Sequence, residues 1–100
     1  MHYDLKIING TIIDGTGNPA YAGDVAVQDG TIVGLGNIGA DAEKTINAQG
    51  KIVCPGFVDI HTHYDAQLLW DSNLSISPWH GVTTVVIGNC GFGIAPTRPS

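Results

Sequence analysis

Along the first half of the chain, hydrophobic positions recur with a period of two. Tyr3, Leu5 and Ile7 alternate with Asp4 and Lys6. That is the pattern of a strand with one apolar and one polar face. Asn9-Gly10 follows, a dipeptide suited to the positive φ angles of a tight hairpin, and Thr11-Ile12-Ile13 is the expected return strand. Residues 15–23 are rich in Gly, contain Pro19, and read as a loop. A second hairpin is expected from Val25-Ala26-Val27, the turn Asp29-Gly30 and Thr31-Ile32-Val33. A third joins Thr45-Ile46-Asn47-Ala48 to Lys51-Ile52-Val53 through Gln49-Gly50. Gly10, Gly30 and Gly50 lie 20 residues apart. Regular hairpin spacing in a small sheet explains that interval better than an internal repeat does.

Cys54-Pro55-Gly56 punctuates the chain, and the pattern changes after it. Phe57-Val58-Asp59-Ile60 and Val82-Thr83-Thr84-Val85-Val86-Ile87 are apolar runs rich in β-branched residues. Such runs suit strands buried on both faces, as in a parallel sheet. The separation of about 20 residues suits a crossover and not a hairpin. The crossover is poorly helical. A turn beginning at Leu68, Leu69 and Trp70 is interrupted by Asp71-Ser72-Asn73, and a short helix over about 77–80 would start with Pro78.

Composition narrows the class. The 100 residues are 43% hydrophobic and 13% charged, which excludes a disordered chain. The formal net charge is −5, with 4 Lys plus Arg against 9 Asp plus Glu. No basic stripe is present, so neither nucleic acid nor an anionic membrane surface is an expected partner. Two cysteines, Cys54 and Cys90, make no disulfide framework. No run approaches the roughly 18 apolar residues of a membrane span, and the first residues lack the apolar stretch of a signal peptide. The expectation is a soluble cytoplasmic protein. Ala95-Pro96-Thr97-Arg98-Pro99-Ser100 follows directly on a patterned segment, an ending that suits either a natural stop or a cut through a larger domain.

His61-Thr62-His63 is the sharpest chemical feature. On a strand, residues i and i+2 face the same way, so both imidazoles can converge on one ion. The same parity adds Asp59 and Asp65, with Val58, Ile60 and Thr62 on the other face. Four ionisable groups in a row on a buried strand are costly without a metal or partners. The competing reading is a strand end exposed to solvent. Cys90, at the carboxyl end of the second apolar run, would lie beside the end of the first, where α/β folds place ligands. From the residues alone it reads equally as a metal-bound thiolate or a small buried hydrophobe. Gly88-Asn89-Cys90-Gly91-Phe92-Gly93 lacks the spacing of a nucleotide-binding loop. Cys54 reads as buried filler and His80 as a packing or surface residue. Trp70 and Trp79 suit either a pocket wall or packing.

Three segments together resemble the opening of the amidohydrolase superfamily. These are Tyr3-Asp4-Leu5, the stretch Asn9-Gly10-Thr11-Ile12-Ile13-Asp14-Gly15-Thr16-Gly17, and Pro55-Gly56-Phe57-Val58-Asp59-Ile60-His61-Thr62-His63. Gly81-Val82-Thr83-Thr84-Val85-Val86-Ile87-Gly88-Asn89-Cys90-Gly91 is similar to the N-acyl-D-amino-acid deacylases (D-aminoacylases, the amidohydrolase-3 group). The resemblance implies an α/β architecture. Residues 1–56 would supply the amino-terminal part of a small β-sandwich built from both chain ends. Residues 57–100 would begin a metal-dependent (β/α)8 TIM barrel, with 57–63 as its first strand and 82–88 as its second. It implies a zinc centre using His61, His63 and Cys90, with further His residues and a proton-handling Asp beyond residue 100. The implied substrate is a small molecule, an N-acyl-D-amino acid, cleaved at its amide by activated water. A barrel needs roughly 250 residues, so these residues alone are expected to be inactive and to continue past Ser100. Two other readings compete. One is a non-enzymatic small β protein or remnant. The other is a related amidohydrolase of dihydroorotase, hydantoinase or deaminase type, which Cys90 fits poorly.

Overall fold

The computed structural model describes residues 2–89 and Pro99. Cα packing divides the chain into two compact units, Met1–Pro55 and Gly56–Ser100, and each is described by itself. No helix among the described residues is long and apolar enough to cross a membrane.

The first unit is one five-stranded sheet. Its strands are β1 (Tyr3–Ile12), β2 (Tyr21–Gln28), β3 (Thr31–Gly36), β4 (Ala42–Asn47) and β5 (Ile52–Val53). The order is β3-β2-β1-β4, with β5 also pairing β1. β1 is the hub. It runs antiparallel to β2 and parallel to both β4 and β5. The paired residues Ile46, Ile7, Val25 and Leu35 form one apolar row across four strands, because residues directly opposite in a sheet share a face. Ile12, Val25, Ala26 and Ala48 are the buried apolar residues.

Asn9-Gly10 is not a hairpin turn. β1 continues through it, and Asn9 is one of the two residues, Ile8 and Asn9, of a β-bulge that Gly10 follows. Between the pairs Ile7↔Val25 and Gly10↔Gly23, β1 places two residues opposite the single Asp24 of β2. Asn9 takes φ 61°, which Asn tolerates better than most residues. Its backbone N–H donates to Asp24 Oδ1 at 3.0 Å and its side-chain amide donates to Asn47 Oδ1 at 3.2 Å. The extra residue resets the alternation. Ile7 and Ile12 are of opposite parity, yet both line the same apolar concavity of about 270 Å³ with Val25, Val27, Ile32 and Leu35. Gly10 is required for close approach, since a Cβ there would stand 2.5 Å from Val53 Cγ2.

The second expected hairpin is present, with β2 and β3 joined antiparallel through Asp29-Gly30. The third is not. β4 and β5 do not pair with each other but lie in succession along β1, and Gln49-Gly50 is an outward kink between them. Lys51 N–H donates to the Ala48 carbonyl across that kink, while Ala48 N–H and Thr11 N–H keep both sides bonded to β1 and the kink. The period-two pattern was the same for both arrangements; the partner strand was not encoded in it. Cys54 follows the last strand and is exposed, so it is not buried filler.

In the second unit β6 (Phe57–Asp59) and β7 (Val82–Val85) pair in parallel, Phe57↔Val82, Val58↔Thr84 and Asp59↔Val85. The crossover between them carries two single-turn helices, α1 (Tyr64–Gln67) and α2 (Ile76–Trp79). Helix starts earlier than the sequence suggests, at Tyr64, and stops where Leu68-Leu69-Trp70 was expected to begin one. Pro78 is the third residue of α2, not its first. The position is tolerated because the first-turn N–H groups of a helix have no partners within it. Trp70 and Trp79 are both largely exposed.

Replacing Asn9 by Ala is expected to lower stability by about 1 kcal/mol, because Ala is strained at positive φ and loses the amide bond. Asn9→Gly should recover the backbone part of that loss. Equal urea midpoints for the wild type and Asn9→Ala would contradict the bulge.

Candidate functional site

The site grows from the carboxyl end of β6. The strand ends at Asp59, Ile60 and His61 form a bend beyond it, and Thr62 and His63 lead from the bend into α1. The expectation of a single strand face bearing Asp59, His61, His63 and Asp65 is therefore corrected. Only Asp59 is on the strand, and Asp65 sits in the first turn of α1. The two histidines nevertheless come together. Their ring centroids are 5.6 Å apart, with the ring planes tilted by 52°. Both are exposed, and with Asp59, Thr62 and Tyr64 they line a concavity of about 470 Å³.

Three local features hold this bend. Asp59 Oδ1 accepts the His61 N–H at 3.2 Å, an Asx-type turn that ends the strand. His63 is the N-cap residue of α1 but makes no side-chain capping bond. Thr62, just after the bend, is buried, and its hydroxyl donates to the Val86 carbonyl at 2.8 Å. Thr62 was expected to face away from the histidines, and neither it nor Asn89, whose amide donates to the Ile60 carbonyl at 2.7 Å, was expected to hold the site. Thr62 gave a signal, because a hydroxyl on the buried side of the histidine pair must find an acceptor.

The crossover is pinned separately. The Tyr64 and Ser77 hydroxyls are hydrogen-bonded to each other. Asp71 accepts from the Ser75 N–H at 2.9 Å, the Ser75 hydroxyl at 3.0 Å and the Gln67 amide at 3.4 Å. The Ser75 N–H above all, and then the Ser75 hydroxyl and Gln67 amide, hold the Asp71 carboxyl below its ordinary pKa. Asp65 is buried, and its Oδ2 has no hydrogen-bond partner among the described residues.

The spacing of the two histidine rings is compatible with a shared metal ion. A Zn–N bond of about 2.1 Å puts each ring centroid roughly 3.2 Å from the ion, so two rings at the tetrahedral angle stand about 5.2 Å apart. The observed 5.6 Å is close to that. Among the described residues no group of three or more His, Cys, Asp or Glu is arranged to hold a metal. The third expected ligand, Cys90, lies outside the described residues, as does Gly91.

A sequence profile of the Amidohydrolase family matches residues 44–98. The chain belongs to the Amidohydrolase family. The match takes in β6, the His61-Thr62-His63 segment, the crossover and β7. Among similar proteins, the N-acyl-D-aspartate deacylase of Alcaligenes xylosoxydans xylosoxydans is 46% identical over 94 residues, which are 93% of this chain and 19% of that one. The D-aminoacylase of the same organism is 40% identical over 95 residues, 94% of this chain and 20% of that one. In structure, the N-acyl-D-glutamate deacylase of Bordetella bronchiseptica superposes with a TM-score of 0.90 at 44% identity. The match covers 96% of this chain and 20% of that one. That enzyme was crystallised with zinc and a phosphonate that mimics the tetrahedral intermediate of its reaction. The fold of this amidohydrolase chain is thus that of the start of the deacylases. It spans about a fifth of the length of the relatives it matches.

Because the pKa of Asp71 is lowered by folding, the stability it contributes is fully present above the unfolded carboxylate's pKa of about 3.9 and is lost as pH falls through the folded value. Asp71→Asn is therefore expected to be less stable than the wild type at pH 6, with the gap closing on acidification below about pH 4. Thermal melts of both proteins across that range check this, and a gap that stays constant would contradict it.

Proposed function

We propose that this chain is the amino-terminal part of a zinc-dependent deacylase that hydrolyses the amide bond of N-acyl-D-amino acids. The observation that carries the proposal is the position of His61 and His63. They sit 5.6 Å apart just past the carboxyl end of β6, beside the end of the parallel strand β7. In barrels of parallel strands that edge is where catalytic groups are placed. The similarity to deacylases at 40–46% identity supports the substrate class.

In this reading His61, His63 and Cys90 hold the ion. Zinc, when bound, supplies a Lewis acid for the amide carbonyl and lowers the pKa of water from 15.7 toward about 7. The chain's own part is positioning. Asp59 fixes the backbone of His61 through the bond to its N–H, and the absence of a capping bond leaves the His63 ring available as a donor. Tyr64 forms part of the cavity wall, and its hydroxyl is anchored to Ser77.

The proton-transferring Asp and the rest of the barrel belong to residues beyond these. The apolar concavity of the first unit, where Ile32 and Leu35 are still exposed, suits a sandwich layer supplied by the same later residues, since a sheet buries its apolar face against a second layer.

The full-length protein is expected to carry zinc, to lose most of it on His61→Ala or Cys90→Ala, and to release free amino acid from N-acetyl-D-amino acids and not from their L-isomers. The isolated 100 residues are expected to show no turnover. Metal analysis and a chiral amine assay check these points. A metal-free full-length protein, or turnover of adenine or a hydantoin in place of N-acyl-D-amino acids, would overturn the reading.

A further inference from the structure

Backbone pairing between β6 and β7 gives out just where the proposed metal site begins. Among the described residues, the last main-chain bond runs from the Val86 N–H to the Asp59 carbonyl at 2.9 Å. Beyond it the two segments are joined by side chains reaching across to backbone. The Thr62 hydroxyl donates to the Val86 carbonyl at 2.8 Å, and the Asn89 amide donates to the Ile60 carbonyl at 2.7 Å.

These two bonds run in opposite directions. One goes from the histidine bend to the segment after β7, and the other returns from that segment to the residue before His61. Each acceptor is a main-chain carbonyl, so the identities of residues 60 and 86 matter little while the donors at 62 and 89 matter a great deal. The geometry points to Thr62 and Asn89 as a reciprocal clamp that holds the histidine bend in register with the segment leading into Cys90.

Sequence position makes the clamp effective. Thr62 lies between the two histidines, so fixing it fixes the backbone on both sides. Asn89 is the residue before Cys90, so the chain is anchored up to the residue before the expected thiolate. Thr62 is 6% exposed, and a buried hydroxyl left without its acceptor is costly. The bond is therefore a firm one. The role assigned to both is positioning: each acts through the backbone it holds, at Val86 and Ile60, and not as a ligand. Groups that orient metal ligands in this way typically change metal affinity by about 10–100-fold when removed.

The inference rests on the zinc reading, and the test separates the two. In the full-length protein, zinc affinity is measured by chelator competition for the wild type, Thr62→Val, Thr62→Ser, Asn89→Ala and His61→Ala. Each is also loaded with cobalt(II), whose thiolate charge-transfer and d–d bands report whether Cys90 and the histidines share one ion. Thr62→Val and Asn89→Ala are expected to bind zinc about 10–100-fold more weakly with altered cobalt bands. Thr62→Ser, which keeps the hydroxyl, is expected to restore both. Circular dichroism identifies any variant that fails to fold; Asn89 is exposed, so Asn89→Ala decides the matter if Thr62→Val does not fold. Wild-type affinity and bands in Thr62→Val and Asn89→Ala, alongside loss in His61→Ala, would overturn the clamp and leave the zinc reading standing. Zinc binding indifferent to His61→Ala would overturn the zinc reading and the clamp with it.

Discussion

The bond from the Thr62 hydroxyl to the Val86 carbonyl is the interaction on which the geometry of the site depends. β6 and β7 are three and four residues long, too short for their ladder alone to reach the histidines. Parallel pairing is also slightly less stable per residue than antiparallel pairing. The hydroxyl bond carries the register past Asp59 and into the bend. With it in place, His61 and His63 project from a backbone held on one side by Asp59 and on the other by the start of α1. Without it, the side-chain tie from the segment after β7 to the bend, among the described residues, would be that of the Asn89 amide. A metal site demands donors placed to within a few tenths of an ångström, so the hold on this bend bears directly on the chemistry proposed for it.

The same economy shapes the first unit. A single strand, β1, is the template for three others, and its bulge at Ile8-Asn9 reconciles two constraints. One is the need to keep Ile7 and Ile12 on one apolar face. The other is the need to admit the kink at Gln49-Gly50 on the neighbouring β4–β5 track. The amide of Asn9 reaches Asn47 and its backbone reaches Asp24, so the bulge is stitched to both neighbours at once. A residue that reads as a turn is here a register device.

That contrast shows how much was legible in the residues. Alternation located the strands of the first unit, and β-branched runs located β6 and β7 and their parallel relation. The chemistry of Asn-Gly is local and identical in a hairpin and in a bulge, so only the partner strand decides between them. Likewise β4 and β5 carry the alternation of a hairpin but take β1 as a common neighbour, a choice made by tertiary packing. At the site, His61 and His63 were legible as a pair and do come together. Their shared face was read from strand periodicity, whereas the structure reaches it through a bend. For that reason Asp65 leaves the set and becomes a buried residue of α1. The holding role of Thr62 and Asn89 escaped notice because a side-chain-to-carbonyl bond between distant segments has no periodic signature.

The central claim is that the histidine bend and the segment after β7 supply one zinc site. The most direct measurement is zinc-edge X-ray absorption of the full-length protein. The account predicts nitrogen scatterers at about 2.0–2.1 Å together with a sulfur at about 2.3 Å, the sulfur vanishing in Cys90→Ser. A first shell of nitrogen and oxygen alone in the wild type would contradict it.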